Sequence, residues 1–426
     1  MTVDSYAGRI VDAELDELLA GLPAISLEGP KGVGKTATAQ RRAATILPLD
    51  DVSQLELLVA DPARLDTSPA PMLVDEWQRH PPVWDLVRRS VDRDARPGRF
   101  LLTGSASPTN PPTHSGAGRI VQLRMRPMSL AERGIEQPTV SLSALLSGTA
   151  ADIGGDTAVT LTDYAAEIVL SGFPGIRRLS ARACRAQLDG YLSRIVDREF
   201  PELGHIVRRP ATLRAWLRAY AAATSTTAAY NAILDAATPG ETDKPAKTTT
   251  IGYRNVLTQL WLLEPLPGWL PTGNVFARLA QTPKHHLVDP ALAARLLGTN
   301  ASALLAGDDP VRAAASEGPL LGALFESLLT LSVRVYAQAA EATVHHLRTR
   351  NGDHEVDLIV ERDDGRVVAM EVKLSPSVGE ADVKHLRWLR EQLGDHLLDS
   401  VVITTGRHAY RRADGIAVVP AALLGA

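Results

Sequence analysis

Residues Gly29 to Thr36 read G-P-K-G-V-G-K-T and fit the pattern G-x-x-x-x-G-K-[ST] at every fixed position. The apolar run Ala24-Ile25-Ser26-Leu27 enters this loop as a predicted strand, and Thr36 to Ile46 leaves it as a predicted helix. The physical demand behind the pattern is narrow. Glycines let successive backbone N–H groups curl around a phosphate, and the following helix adds the positive end of its dipole. Gly29, Pro30, Lys31, Gly32, Val33, Gly34, Lys35 and Thr36 are therefore the candidate nucleotide contacts. Lys35 is placed to reach the β- and γ-phosphates, and the Thr36 hydroxyl to ligate Mg²⁺.

An NTPase built on such a loop needs a second strand that ends in acid. P-M-L-V-D-E-W-Q, Pro71 to Gln78, supplies it: three apolar residues deliver Asp75 to the strand end as a Mg²⁺ ligand. Glu76 follows, placed to polarise the attacking water. A third predicted strand, Arg99 to Leu102, runs into Thr103-Gly104-Ser105, and Thr103 is a candidate sensor of the γ-phosphate. Pro108 to Gly118 is a Pro/Thr/Ser/Gly-rich loop, and Arg119 just beyond it is a candidate arginine finger, within the chain or between subunits.

At 426 residues the chain has room for two or three domains. A net charge of −4 gives no global nucleic-acid signature, so a basic binding face has to be local. Cys184 is the one cysteine, which excludes an intrachain disulfide and a cysteine zinc site. The start M-T-V-D-S-Y-A-G-R-I is unlike a secretion signal and no uninterrupted apolar run reaches membrane-spanning length, so the expectation is a cytoplasmic protein without membrane partners.

Several motifs in order carry a family resemblance. They are Y-x-x-R-I through Arg9, G-P-K-G-V-G-K-T, L-D-D at Asp50, D-E-W-Q-R, L-T-G-S-A, and G-R-I-V-Q-L-R-M-R-P-M-S-L-A-E ending at Glu132. Together they resemble the bacterial and archaeal AAA-type ATP-binding proteins that carry a C-terminal domain of unknown function. The resemblance spans essentially the whole chain. It implies an AAA-like α/β fold for the first domain, ATP rather than GTP, and the usual roles for Lys35, Thr36, Asp75 and Glu76. Trp77 stands where a smaller aliphatic residue is usual in that family.

Ser141 to Asp156 is rich in Ser, Gly, Ala and Thr and reads as a hinge or linker. Helical patterning follows. Arg177 to Arg218 holds ten arginines (177, 178, 182, 185, 194, 198, 208, 209, 214 and 218) and a local net charge of +6. Such a stretch suits phosphate oxygens, or equally a helical surface of i,i+4 ion pairs. Ala211–Ala223, Thr226–Ala236 and Thr249–Leu263 read as three helices. Their size fits a winged-helix arrangement, which the family resemblance also implies. DNA contact by the third of them is an analogy from fold.

From Pro319 onward the predicted order is helix, three strands, helix, strand, with a hairpin turn at Asp364-Gly365. Asp357 lies in one hairpin strand; Glu371 and Lys373, two apart on the next, share a face. A carboxylate pair beside a lysine can hold divalent ions and activate water against a phosphodiester. The set resembles the PD-(D/E)XK nuclease core, with Asp357, Glu371 and Lys373 as its D…E-x-K and Glu326 as the additional helix glutamate. Val356 stands in place of the proline of that motif. Glu326, Asp357 and Glu371 are then the expected metal ligands. T-P-K-H-H-L-V-D-P, Thr282 to Pro290, reads as structural packing.

The expected architecture is a multidomain α/β chain. It comprises a P-loop AAA-type ATPase domain over 1–137, a linker over 138–160, a helical winged-helix-like domain over 161–300 and an α/β restriction-endonuclease-like domain over 301–426. The expected function is a Mg²⁺-dependent ATPase whose cycle controls a nuclease-like module acting on nucleic acid, with a protein as the other class of partner. The alternative is an ATP-dependent regulatory or DNA-binding switch with an inactive nuclease-like fold. Oligomeric state is not legible.

Overall fold

The computed structural model describes residues 6–104, 116–149, 151–205, 207, 209–238, 247–271, 281–306, 320–349 and 352–426. Ser105, most of the loop 108–118, Arg208 and most of the connection between the second and third middle helices lie outside these residues.

The first domain is a parallel sheet of β1 (Ala24–Glu28), β2 (Thr45–Pro48), β3 (Met72–Asp75), β4 (Phe100–Gly104) and β5 (Val121–Arg124), in the order β2-β3-β4-β1-β5. β1, β3 and β4 are apolar and buried along most of their length, as strands covered on both faces must be. The covering helices bury a stripe at helical spacing; Pro82–Arg93, for example, buries Val83, Val87 and Val91. Because all five strands are parallel, Glu28, Asp75, Gly104 and Arg124 arrive at one edge of the sheet. The helix after the phosphate loop is shorter than its sequence suggests. It spans Lys35–Gln40, and β-branched Thr45 and Ile46 open β2 instead of extending it.

The segment 138–160 is not a free linker. β6 (Val140–Ser141) and the helix Leu142–Leu146 bury Val140, Leu142, Leu145 and Leu146, which the surrounding small residues mask in composition. β6 pairs in parallel with β14 (Leu424–Gly425) at the far end of the chain, and Thr139 N donates to Leu423 O at 3.0 Å.

In the middle region the helices Pro210–Ala222, Tyr230–Ala237 and Lys247–Gln259 precede an antiparallel ribbon, with bridges Leu263↔Leu287 and Leu266↔Lys284. The ribbon continues into the third domain. Its β7 (Gly268–Trp269) adds an edge to a seven-stranded sheet ordered β12-β13-β11-β10-β9-β8-β7. The other members are β8 (Thr343–Arg348), β9 (Glu355–Glu361), β10 (Val367–Val372), β11 (Leu397–Thr404), β12 (Tyr410–Arg411) and β13 (Ala417–Pro420). The helix–three strands–helix–strand order is present, with Gly365 at φ 79° in the turn joining β9 to β10.

One helix, Leu320–Ala339, joins everything. It is long and apolar enough to cross a membrane, yet it is mostly buried inside the fold. Its Ser332 Oγ and Tyr336 OH accept from the backbone N–H groups of Leu130 and Ala131 in the first domain, both at 3.1 Å. Its Arg334 donates to the carbonyls of Glu264 and Pro265 in the ribbon.

Candidate functional site

The phosphate loop leaves β1 at the carboxyl edge of the sheet, where β1 lies between β4 and β5, the place at which parallel α/β sheets bind ligands. Its first turn runs against Met125. A Cβ on Gly29 would stand 2.1 Å from the Met125 carbonyl oxygen, and Gly29 has φ 153°. Gly34 precedes the helix at φ 107°, in the left-handed region. Gly29→Ala is expected to cost about 2 kcal/mol or more through this collision, measurable as a lowered denaturation midpoint. Arg9 braces the loop from behind: its guanidinium donates to Val33 O at 3.0 Å and pairs with buried Glu132 at 3.0 Å.

Lys35 is folded back on its own loop, donating to Gly29 O at 2.8 Å and Pro30 O at 2.9 Å. Burial is the main influence on its ammonium and pulls the pKa down to about 8, against the opposing pull of Glu76 and Asp75. A phosphate bound there raises that pKa again, so the complex holds more protons than the free protein above pH 8. ATP affinity is therefore expected to be flat below pH 8 and to fall by up to about tenfold per pH unit above it, read by calorimetric titration across pH 7 to 10.

Thr36 Oγ1 donates to Asp75 Oδ1 at 2.8 Å, and Thr103 Oγ1 donates to the same oxygen. The sheet register explains the second contact, since Asp75 and Thr103 are directly paired on β3 and β4. Thr103 is 1% exposed, and its hydroxyl, like that of Thr36, is bonded to Asp75. Glu76 sits at φ 54°, ψ 43°, in the left-handed region, and is hydrogen-bonded by Gln78. A non-glycine residue held there carries backbone strain of a kind found at active sites.

As an arginine finger within the chain, Arg119 is a correction. It precedes β5, whose register sets Val121 beside Ile25 and Arg124 beside Glu28. It therefore lies toward the opposite edge of the sheet from this chain's phosphate loop, and pairs with Asp92 at 2.8 Å. The cation at the correct edge is Arg124, whose charge helps to lower the Lys35 pKa. Its guanidinium stacks over Trp261 at 3.8 Å, and burial lowers its own pKa to about 10. Arg124, Arg126 and Arg334 surround Glu264; burial alone would raise this carboxyl, but the three cations hold it down at about 2. Beside the loop, Lys31 pairs with Glu199 at 3.0 Å across a cleft of about 230 Å³, lined also by Gly32, Tyr191, Arg194 and Leu260.

The second candidate cluster lies in the third domain. Glu371 and Lys373 share a face and pair at 2.9 Å, and Asp357 Oδ2 accepts from Val372 N at 2.9 Å. The sequence reading missed the residue at the centre. Lys284 Nζ lies 2.9 Å from Glu326 Oε1, 3.0 Å from Asp357 Oδ1 and 3.0 Å from Glu355 Oε1. Burial would lower its pKa, but the carboxylates outweigh that and hold it well above the usual lysine value. Burial pushes Glu326 up to about 8 and, aided by Asp357, holds Glu371 well above the ordinary carboxyl range. Asp357 stays low despite burial because Lys284 and Lys373 face it. The expected metal set Glu326, Asp357 and Glu371 is thus corrected: the position a divalent ion would take holds an ammonium. Among the described residues no group of three or more His, Cys, Asp or Glu is disposed to hold a metal.

Residues 22–133 match the family model described as an AAA domain. The first domain is a P-loop AAA-type domain. Residues 161–303 match the domain of unknown function DUF8612, and residues 321–424 the domain of unknown function DUF4143. Two uncharacterized mycobacterial proteins are similar over nearly the whole chain: Mb2031c of Mycobacterium bovis and Rv2008c of Mycobacterium tuberculosis. Each is 28% identical over 97% of this chain and 83% of its own length. Among solved structures, the Walker-type ATPase PABY2304 of Pyrococcus abyssi is 16% identical, covering 67% of this chain and 94% of that one at a TM-score of 0.39. The ORC2 protein of Aeropyrum pernix is 14% identical, covering 69% and 94% at a TM-score of 0.30.

Within the AAA domain, the motif residues Lys35, Thr36, Asp75 and Glu76 meet at one edge of the sheet. Arg124 was within reach of the sequence, as the last strand residue of G-R-I-V-Q-L-R, once β5 is placed beside β1. Lys284 had no such signal, because its partners Glu326 and Asp357 are 42 and 73 residues away.

Proposed function

We propose that the chain is an ATP-driven switch: an ATPase whose nucleotide state is passed to the helical middle and the C-terminal domain, with nucleic acid as the partner. The convergence of Lys35, Thr36 and Asp75 on one edge, with Glu76 next in the chain, carries this reading. Lys35 exchanges two backbone carbonyls for phosphate oxygens, a gain because the new contacts are charge-assisted. Thr36 Oγ1 and Asp75 Oδ1 are hard oxygen donors 2.8 Å apart, a pair suited to hold Mg²⁺, which neutralises phosphate charge when bound. Glu76 orients the attacking water and accepts its proton. The cleft beside Lys31 and Gly32 receives the remainder of the nucleotide, so that ATP touches the first domain and the middle helices at once.

The switch reading is favoured over the ATP-controlled nuclease because Lys284 occupies the cation position among Glu326, Glu355 and Asp357. Nucleic-acid contact is proposed for the exposed arginines 178, 182, 185, 194, 198, 209 and 218. Arg177 and Arg214 pair with Glu167 and Asp197. The winged-helix reading rests on the three helices and the ribbon that follows them.

The deciding experiment is Mg-ATP turnover by the wild type beside Asp75→Asn. Turnover in the wild type that falls at least about a hundredfold in the variant supports the ATPase. A wild type that neither binds nor turns over ATP sinks it. Labelled DNA titrated at rising salt, with ADP or a slowly hydrolysed ATP analogue, tests the partner, since phosphate contacts make affinity fall steeply with salt.

A further inference from the structure

Arg124 is the surplus cation of its surroundings. Of the three guanidinium groups around Glu264, Arg126 donates to that carboxylate and to Gln338 Oε1, both at 2.7 Å. Arg334 donates to the carbonyls of Glu264 and Pro265. Arg124 stands 3.9 Å from Glu264, beyond hydrogen-bond distance, and its Nη1 is buried without a hydrogen-bond partner. A buried cation left in that state is costly, and an anion that supplies the missing oxygen binds the more tightly for it. The backbone says where that anion lies. Arg124 ends β5 in register with Glu28, the residue before the phosphate loop. Met125 N donates to Glu28 O at 2.7 Å, and Gln338 Nε2, on the central helix Leu320–Ala339, donates to Arg124 O at 2.9 Å. The strand end is thus fixed against the root of the loop, and its charge is felt at the Lys35 ammonium. The guanidinium also lies over Trp261, 3.8 Å from the ring centre. Trp261 has φ 60° and sits in the turn that closes the helix Lys247–Gln259, where Trp261 N and Leu262 N donate back to Thr258 O and Leu257 O, both at 2.9 Å. Its neighbours Leu260 and Leu262 line the cleft beside Lys31 and Gly32.

We propose that Arg124 is a phosphate contact outside the loop motif: its unpaired Nη1 donates to a phosphate oxygen of the bound nucleotide while the guanidinium stays on Trp261, so that binding is passed to the turn between the third middle helix and the ribbon. A planar guanidinium can do both at once, because its N–H groups lie in the plane and its face is left for the ring. Trp261 is suited to receive the signal. A tryptophan in the left-handed region keeps that backbone only while its surroundings hold it there, and the cation on its ring is one of them. The inference rests on the ATPase reading for its ligand and adds to it the route by which filling of the loop reaches the middle region.

The test titrates ATP and ADP into the full chain labelled with 5-fluorotryptophan, read by calorimetry and by fluorine NMR. Wild type, Arg124→Met and Lys35→Ala are compared, with folding checked by circular dichroism. The chain has six tryptophans, and the Trp261 resonance is identified by its loss in Trp261→Phe. Methionine keeps an apolar stem on the ring and removes the charge and the donors. In the wild type the Trp261 resonance is expected to shift on nucleotide binding. Arg124→Met is expected to bind about ten- to a hundredfold more weakly and, once saturated, to show less than about a third of that shift. Affinity within about threefold of wild type, or a full Trp261 shift in saturated Arg124→Met, would overturn the proposal; binding that Lys35→Ala still loses would then leave the ATPase reading standing. A wild type that binds no nucleotide overturns both. If Arg124→Met fails to fold, Arg124→Gln keeps a polar group beside Glu264, removes the charge, and serves for the same measurements with the same expected outcomes.

Discussion

Lys35→Ala is expected to weaken ATP binding by about a hundredfold and to remove hydrolysis with it. In the free protein the ammonium donates to two carbonyls of its own loop, Gly29 and Pro30, and is almost wholly buried. Binding converts these into bonds to anionic phosphate oxygens, each worth about 1.5–3 kcal/mol. Losing two, with some return from the carbonyls no longer needing a donor, leaves about 3 kcal/mol, or a factor near a hundred in Kd. Glu76→Gln should separate the steps. It leaves the phosphate loop intact, so affinity should hold within a few fold while turnover drops by about 10²–10⁴. Calorimetry and a phosphate-release assay on the same preparations read both quantities. Equal affinity in Lys35→Ala and wild type would mean that the nucleotide does not sit on this loop.

The second large effect is on stability. Lys284→Met is expected to destabilise the chain by about 3–5 kcal/mol, because removing one partner from a buried ionic cluster leaves the others uncompensated. The methionine itself packs where the lysine stem did, so a cavity is not the cause. Charge is, and the signature is non-additivity: adding Asp357→Asn to Lys284→Met should restore part of the loss, whereas Asp357→Asn alone should destabilise. Denaturant titration of the four proteins measures the coupling. A Lys284→Met protein as stable as wild type would show that the ammonium carries little of the fold's free energy.

What was legible in the sequence follows how local each signal is. The strand–loop–helix around Lys35 could be read because every residue of the motif lies within one short segment. The middle helices could be read from their periodicity, to within a few residues at each end. That Arg119 faces away from the phosphate loop of its own chain was not legible, because sheet order decides which end of β5 faces the phosphates, and order is a property of the whole domain. Leu142, Leu145 and Leu146 were passed over because Ser, Gly and Ala around them lower the average of the segment, although their spacing is that of a buried helical face. Lys284 was invisible for a different reason: its segment reads as structural packing, and nothing local names the carboxylates it meets until the ribbon that carries it is docked on the third sheet.

The helix Leu320–Ala339 has a consequence for how this molecule comes apart. It is part of the same continuous core as β1, the middle helices and the third sheet, and β14 is stitched to β6 near the end of the first domain. Independent melting of any one domain would expose apolar surface on the other two, a penalty that grows with every side chain uncovered. Three sequence regions therefore behave as one cooperative unit: a calorimetric scan should give a single peak, and a protease that opens the chain at the central helix should release all three domains from protection together.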